Sequence, residues 1–535
     1  MKMVKSLILG SAAGILAVGG AQAADLPVKA KAVEYVKICS LYGAGFWYIP
    51  GTDTCMKIGG YLRVDTTFNG GVYGQPFYSG DNGQGNRFRD YFNSRSRMAL
   101  TVDTRTATEY GVVRTFGQGD FQFQNFGSSN PGLAAGSQLG GLNNALLSTA
   151  GGGYVAVEMV FIQFAGFTFG KSASAYATPW HGYPGNNNSF LMGGHDTVTG
   201  VNNIQYTAEF GNGVSASIGL DDPTVFHRTA NWNMALGIGA NGTGTNTYSG
   251  LHSPDIVGRI RVDQAWGLFQ VSGAAHLVSA SYNNLNAGGA PNNFSEISGH
   301  PDDKWGGSVM AALQIKNLPT GAGDDIKIDA SYAIGHTKQV ISTSGGSPSF
   351  AMFGDSGFGY QSVGFGATSD GLYAPPGTFG FAAGGPGSGI ILTKAWGIRG
   401  AFNHNWDPYW STSLWGSYAQ VKYDGNTDDH LNGIASAKGI YCAAFNVTHP
   451  GATGVASAAG TYSCNPDFNI AQVGVVTRWT PVRNLTFSAE VGAFFLDQKM
   501  AGSSVFTATA PKPNALYEFK DQSTVFLNVR VQRNF

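Results

Sequence analysis

The sequence predicts an all-β fold, a transmembrane antiparallel β-barrel of sixteen strands with long extracellular loops and short periplasmic turns. Composition supports this prediction, because 78 Gly, 34 Phe, 23 Tyr and only 12% charged residues suit many strands joined by turns. Apolar and polar residues alternate repeatedly, which is typical of strands with one lipid-facing and one water-facing side. Beyond the N-terminal region, the sequence has no long uncharged apolar segment that could cross a membrane as a helix.

The N-terminal residues predict a cleavable signal peptide over 1–23. Lys2 and Lys5 precede an apolar stretch from Leu7 to Val18, and the small-residue site Ala21-Gln22-Ala23 follows. The apolar stretch is shorter than the ~20 residues that a membrane-spanning helix needs. We therefore expect the exported, mature chain to begin at Ala24.

Two further regions follow the signal peptide. We expect a periplasmic lead-in over 24–56, which contains a local cysteine pair, and a barrel domain over 57–535. The four cysteines permit three disulfide connectivities, and their presence suits an oxidising periplasm or cell surface. We prefer the local bridges Cys39 to Cys55 and Cys442 to Cys464, because the long intervening barrel should keep the two pairs apart.

The strands are predicted from period-two alternation, which is clearest near the end of the chain. Val525, Leu527 and Val529 share one parity there, while Asn528 and Arg530 share the other. The tight turn Gly211-Asn212-Gly213 joins two similar segments as a hairpin. Applying the same criterion in order, we predict strands at 57–68, 95–103, 109–116, 154–163, 166–171, 200–210, 213–221, 255–263, 268–277, 304–316, 325–335, 394–404, 411–423, 468–479, 484–496 and 523–535.

Charged residues on the predicted polar faces indicate an aqueous lumen, because burying them in a sealed apolar core would have a high free-energy cost. The expected pore-lining residues are Arg259, Arg261, Lys327, Asp329 and Glu490. Removing Lys2 and Lys5 leaves 30 of 32 basic residues against 33 acidic ones, a balance of −3, so no nucleic-acid partner is expected. Ten scattered histidines and the cysteine spacing predict no metal site, no cofactor and no enzyme.

Several segments resemble the porin family of alphaproteobacteria. The stretch from Cys39 to Cys55, continuing into Ile58-Gly59-Gly60-Tyr61-Leu62-Arg63, is similar to the first strand of that family and its approach. Residues 104–111 and 406–418 and the terminal Phe535 agree, so the resemblance covers nearly all of the mature chain. It implies a sixteen-stranded homotrimer in the outer-membrane lipid, a passive diffusion channel for small hydrophilic solutes and ions. It also implies that Phe535 is the signal read by the barrel assembly machinery.

Four arginines on three early strands are candidates for the narrowest part of the pore. They are Arg63, Arg95, Arg97 and Arg114, and parity with neighbouring apolar residues points the first three inward. Either they form a basic wall across the pore or they are ordinary solvated lumen residues. Both interpretations remain open from sequence.

A loop that folds inward is implied by the resemblance, and strand counting places it after the fifth strand, at about 172–199. It contains Trp180, His181, Tyr183 and a single acid, Asp196, which we expect to oppose the arginine wall. The stretch 117–153 is nearly as long and could instead contact a neighbouring subunit or shield the mouth. A substrate-specific channel, in which Trp180 and Tyr183 grip a solute, is the alternative to general diffusion.

Overall fold

In the computed structural model, sixteen antiparallel strands form a closed barrel, which confirms the predicted fold class. The structure describes residues 37–77, 91–124, 154–196, 198–224, 227–239, 241–341, 349–357, 359–449, 462–506 and 514–535. The barrel strands are β1 (Thr54–Phe68), β2 (Phe92–Thr108), β3 (Gly111–Gln124), β4 (Tyr154–Phe164), β5 (Phe167–Ser172), β6 (Val201–Gly211), β7 (Val214–Asp221), β8 (Asp255–Gln264), β9 (Gly267–Val278), β10 (Lys304–Lys316), β11 (Asp325–Ile334), β12 (Lys394–Asn405), β13 (Trp410–Lys422), β14 (Phe468–Val482), β15 (Leu485–Gln498) and β16 (Gln522–Asn534). None of the described helices has the length and apolar character needed to cross a membrane.

Consecutive strands pair along the whole ring, and the first strand pairs with the last. In this seam Arg63 of β1 lies opposite Gln532 of β16, and Thr66 lies opposite Val529. Long loops and short turns alternate around the ring, and in bacterial barrels the long loops are extracellular. The predicted hairpin turn contains Asn212 and Gly213, both at positive φ, as a tight two-residue turn requires.

The predicted alternation holds on the strand faces. Val525 and Val529 of β16 are 57% and 41% exposed on the outer face, whereas Asn528 and Arg530 are buried on the inner face. The same contrast separates the exposed Ile218 of β7 from its buried neighbour Ser217. Apolar side chains therefore surround the barrel and polar side chains face its lumen.

β3 runs to Gln124, well beyond its predicted end at 116. Gly117 and Gly119 interrupt the apolar alternation, so the sequence pattern fades there. The strand continues because its ladder with β2 continues, with Leu100 opposite Gly119 and Ala99 opposite Asp120. Of the predicted loop 117–153, residues 117–124 thus belong to a strand, and 125–153 lie outside the described residues.

The long loops contain further elements that the sequence analysis did not predict. The helix α1 (Ala437–Thr448) begins at Ser436, whose hydroxyl accepts a hydrogen bond from Gly439 N at 3.1 Å. Shorter helices are Ser40–Tyr42, Ser295–Ser298, Thr337–Gln339 and Asp429–Asn432. Outside the barrel, short strands lie at Trp47–Tyr48, Asn231–Ile238, Gly244–Asn246, Phe350–Ser356, Gly359–Gly366, Gly371–Tyr373, Ile391–Leu392, Tyr462–Ser463, Ala501–Phe506 and Ala515–Phe519.

An apolar core lies among these loops. Trp232, Phe350, Tyr441, Phe445 and Phe468 are almost fully buried in one cluster. Burying large aromatic side chains is the main favourable contribution to such packing. The loops therefore form a packed layer with its own core.

Both predicted disulfides are present. Cys39 and Cys55 are bonded to each other within the described part of the first compact unit, 37–56, where the strand Trp47–Tyr48 pairs with Cys55 and Met56. Cys442 of α1 bonds Cys464 in the second compact unit, Lys57–Phe535. All four cysteines of the chain are therefore paired.

Candidate functional site

The loop between β5 and β6, residues 173–200, lies inside the barrel; we call it the lumen loop. Inward-facing side chains of distant strands bind its backbone. Gln270 of β9 donates to Ala177 O at 2.7 Å, and Gln472 of β14 accepts from Met192 N at 2.9 Å. Strands from different parts of the ring thus hold one loop, so the loop crosses the lumen.

Arg399 of β12 binds one end of the lumen loop. Its guanidinium pairs with Asp329 of β11 at 3.0 Å and donates to Leu191 O at 3.0 Å and His195 O at 2.7 Å. Arg399 and Asp329 are 1% and 0% exposed. A buried ion pair is stable only when its remaining hydrogen-bonding capacity is used, and here the loop carbonyls use it.

Glu490 of β15 binds the middle of the same loop. Its carboxylate accepts hydrogen bonds from Asn187 N at 2.9 Å and Asn188 N at 2.8 Å. Arg530 of β16 donates to Asn187 O at 3.1 Å. Asp329 and Glu490 therefore face inward as expected, but the lumen loop covers both. They position the loop and do not line open space, which corrects their predicted role.

A cavity of about 700 Å3 lies between the lumen loop and the barrel wall; we call it the central cavity. Charged residues of both signs line it. Six are basic, namely Arg63, Arg95, Arg97, Lys327, Arg478 and Arg530, and three are acidic, namely Asp120, Glu158 and Asp325. Six positive minus three negative charges leave the described lining with an excess of three positive charges. The buried carboxylate of Asp65, which pairs with Arg95 at 2.8 Å and with Arg530 at 2.5 Å, reduces this excess to two.

The acids of the cavity already have basic partners. Arg97 pairs with Asp120 at 2.5 Å and lies 3.5 Å from Glu158. Asp325 lies 3.6 Å from the ammonium of Lys327 on the same strand. The negative charge of the cavity is therefore largely compensated by its neighbours.

Arg63 and Arg478 are different. Within the described parts of the chain, neither forms an ion pair. Arg63 Nε donates to the amide oxygen of Gln532 at 2.8 Å, and Arg478 donates to Ser413 Oγ at 2.8 Å and to the backbone oxygen of Gly185. These neutral acceptors fix each guanidinium without cancelling its charge.

The structure brings six of the predicted site residues to the central cavity. They are Arg63, Arg95, Arg97, His181, Tyr183 and Lys327. Tyr183 also donates its hydroxyl proton to Ser189 O at 3.1 Å within the lumen loop. Burial lowers the pKa of His181 below its ordinary value; the carboxyl of Asp196 acts in the opposite direction, and the charge of Arg63 adds to the lowering.

Asp196 does not line the central cavity, contrary to the prediction that it opposes the arginine wall. It is 3% exposed, and its Oδ1 accepts a hydrogen bond from Val198 N at 3.0 Å. Burial raises the pKa of its carboxyl, although the nearby Arg399 acts in the opposite direction. The acids that do face the cavity sit on strands, and Asp120 was missed because its segment was assigned to a loop.

Trp180 is 6% exposed and also lies away from the central cavity. Its large ring is buried, so it is not available to grip a solute there. The adjacent carbonyl of Pro179 accepts a hydrogen bond from Arg261 at 3.3 Å. Trp180 therefore belongs to the packing of the lumen loop against the wall.

The remaining predicted arginines occupy the inner face outside the cavity. Arg114 pairs with Asp103 at 2.9 Å, and Arg261 pairs with Asp263 at 2.8 Å. Arg259 donates to Ser217 Oγ at 3.1 Å. Arg114 was predicted at the narrowest part of the pore, and the structure instead places it among these wall residues.

Phe535 ends the seam of the barrel. Its N–H donates to Gly60 O at 3.1 Å, and its carbonyl accepts from Gly60 N at 3.2 Å. Its ring is 56% exposed. An exposed aromatic ring at a strand end suits the interfacial girdle of a barrel, and the predicted role as an assembly signal stays a prediction.

Comparison with known proteins gives one family. A model described as the porin subfamily matches residues 25–528. Porin Omp2b of Brucella abortus (strain 2308) is 35% identical over 269 residues, which are 49% of this chain and 63% of that protein. Porin Omp2b of Brucella suis biovar 1 (strain 1330) is 35% identical over 271 residues with the same shares. The match thus spans less than two thirds of these relatives' length.

A solved structure with a similar fold is the outer membrane channel DcaP of Acinetobacter baumannii. Its TM-score is 0.52 at 13% sequence identity, and the match covers 91% of this chain and 99% of that chain. At this identity the likeness concerns the fold alone.

Proposed function

This chain belongs to the porin subfamily of alphaproteobacterial outer-membrane β-barrels, and on that premise we propose that it forms a passive diffusion channel for small hydrophilic solutes and ions. The observation that carries the proposal is the charged central cavity between the lumen loop and the wall. A sixteen-stranded barrel is wide enough to leave an aqueous channel, and a loop across it reduces the opening. We propose the lumen loop and the wall with Arg63, Arg95 and Arg97 as the narrowest part.

Passage needs no catalytic group. Solutes enter by diffusion, and fixed charges on the lining change their local concentration according to sign. The chain is accordingly proposed as a channel and not as an enzyme. Its rate of transport should follow solute size and charge.

We further propose a preference for anions. The excess of two positive charges that remains after Asp65 is counted, and the guanidinium groups of Arg63 and Arg478, which form no ion pair with the described residues, support it. Bilayer recordings across a KCl gradient show directly whether the pore prefers anions or cations, because the reversal potential moves toward the chloride equilibrium potential in an anion-selective pore. A reversal potential on the potassium side would contradict this proposal.

Solute flux distinguishes general diffusion from a substrate-specific channel. Liposomes containing the purified protein should take up neutral sugars at rates that rise linearly with concentration and fall with solute size. Saturation at low concentration would instead indicate a binding site in the cavity. Deleting 180–190 should enlarge the single-channel conductance, and unchanged conductance in a folded barrel would move the narrowest part elsewhere.

The proposed partners are a second and third copy of the chain, outer-membrane lipid and the barrel assembly machinery. Light scattering in detergent should give the mass of a homotrimer. Removing Phe535 should reduce assembly in cells if its aromatic ring is the recognised signal. N-terminal sequencing of the exported protein should begin at Ala24 if 1–23 is a cleaved signal peptide.

A further inference from the structure

Two histidines and an aspartate from separate elements meet at the long-loop end of the barrel. His227 lies in the loop between β7 and β8, Asp255 is the first residue of β8, and His336 follows β11. All three are 0% exposed. We call them the His/Asp cluster.

The distances in the His/Asp cluster suit a bound metal ion. Asp255 Oδ2 lies 3.2 Å from His227 Nδ1 and 3.5 Å from His336 Nε2, and all three ligand atoms lie within 4.8 Å of one another. In tetrahedral zinc sites the bonds to nitrogen and oxygen are about 2.0 to 2.2 Å, which separates neighbouring ligand atoms by roughly 3.4 Å. The two shorter distances, 3.2 and 3.5 Å, are close to this value.

His227 Nδ1 and Asp255 Oδ2 are also within hydrogen-bond distance at 3.2 Å, but the contacts of His336 Nε2 conflict when no cation is present. His336 Nε2 faces the carbonyl of His227 at 2.9 Å and the amide nitrogen of Gln339 at 3.0 Å. A single ring nitrogen cannot donate to the first and accept from the second at once. Gln339 Oε1 is buried without a described hydrogen-bond partner.

In each of the three residues, the polar side-chain atom that would not bind the metal also has a polar neighbour. His276 Nδ1 lies 2.6 Å from Asp255 Oδ1, and Ser308 Oγ lies 3.1 Å from His336 Nδ1. His227 Nε2 has no hydrogen-bond partner among the described residues, and it faces Asp221 Oδ2 at 3.7 Å. Groups in these positions fix the orientation of metal-binding rings and carboxylates in known metal sites.

We propose that His227, Asp255 and His336 bind a divalent transition-metal ion, for which Zn2+ is the appropriate probe. Two imidazoles and one carboxylate favour zinc and related ions over Mg2+ or Ca2+, which prefer oxygen ligands. The ion joins the loop after β7 to the loop after β11. His227 also packs against His195 of the lumen loop, with ring centroids 5.3 Å apart, so the ion supports the base of that loop.

Metal content of the refolded full chain tests the proposal. Because the cluster is buried, the protein is unfolded in denaturant, refolded in detergent with Zn2+, and freed of loosely bound metal on a chelating column. We expect about one zinc ion per chain by elemental analysis. H227Q and H336Q should lower this to the background value, while H252Q should retain it. His252 is a matched control, because it lies in the same loop and pairs with a carboxylate, Asp303, at 2.7 Å, but is exposed.

A second measurement keeps the test decisive if a variant fails to fold. Wild-type protein refolded with Co2+ should show the visible absorption of a tetrahedral cobalt site with nitrogen ligands. Wild-type protein that folds but retains background zinc and shows no such absorption overturns the proposal. Folded H227Q and H336Q that retain one zinc ion also overturn it, because the ion would then lie elsewhere.

Discussion

Arg63 faces the central cavity and forms no ion pair with any described carboxylate. Its closest described acceptor is the amide oxygen of Gln532, at 2.8 Å, which is neutral. Replacing Arg63 with Gln should therefore shift the reversal potential in a KCl gradient away from chloride without impairing assembly. R114Q should have a smaller effect, because Asp103 compensates the charge of Arg114. Equal shifts in the two variants would show that the position of Arg63 at the cavity is unimportant.

His181 gives the cavity a dependence on pH. Burial and the positive charge of Arg63 lower the pKa of His181 from its ordinary value of 6.5, so the ring is neutral at pH 7. As the pH falls through this lowered pKa, the ring gains a positive charge, and anion preference should increase. Reversal potentials of the wild type and H181N should agree above pH 7 and separate at acidic pH. Identical profiles throughout would exclude His181 as a contributor.

Alternation along a strand predicts the face of a residue but not what covers that face. Asn528 was predicted to face water in the lumen, yet it is 0% exposed and donates to Thr67 Oγ1 at 2.8 Å. The His/Asp cluster was equally invisible, because His227 and His336 lie in separate loops and have no characteristic spacing. The first contact joins opposite residues of β1 and β16, and the second depends on how two loops fold; period-two patterns report neither.

β16 provides a direct test of the two barrel faces. Val529 points to lipid near the middle of the strand, so V529R should destabilise the barrel by about 2 to 4 kcal/mol. Q532E on the inner face should cost far less, because its charge remains in the lumen beside the guanidinium of Arg63. Unfolding in urea with lipid vesicles measures both free energies. Similar losses in the two variants would contradict the assigned faces.

The bridge between Cys442 and Cys464 stabilises the loop that contains α1. The two residues are 22 positions apart, and the chain-entropy model gives a contribution on the order of 3 kcal/mol for a loop of that size. The double substitution C442S/C464S should expose this loop to limited proteolysis while the barrel strands stay protected. Mass spectrometry of the fragments locates the cuts. Resistance equal to that of the wild type would show that packing in the apolar core is sufficient.

Glu490 should control the mobility of the lumen loop. Without its carboxylate, the backbone N–H groups of Asn187 and Asn188 lose their acceptors and remain buried. E490A should therefore release this segment and produce larger, noisier single-channel currents. T477A, a change on a strand away from the loop's hydrogen bonds, serves as the control. If a folded E490A barrel gives currents as small and as quiet as those of the wild type, Arg399 and Arg530 suffice to hold the loop.

The strands were predictable because each repeats the same physical pattern, and all sixteen appear near their predicted places, although β3 extends eight residues beyond its predicted end. Loop structure was not predictable in this way. α1 and the short strands outside the barrel, such as Asn231–Ile238, owe their burial to contacts between loops far apart in sequence. Local propensity is a weak guide where tertiary contacts decide the structure.

At the scale of the whole molecule, the seam has a consequence for the order of events during biogenesis. The hydrogen bond from Arg63 to Gln532 joins β1 to β16 across 469 positions of sequence. Until β16 has been synthesised and exported, β1 has an unpaired edge. The last strand of each partly formed sheet has a second unpaired edge. Such edges readily pair with other chains. The nascent polypeptide therefore has to be kept apart from its copies while it crosses the periplasm, and closure is among the last steps of its maturation.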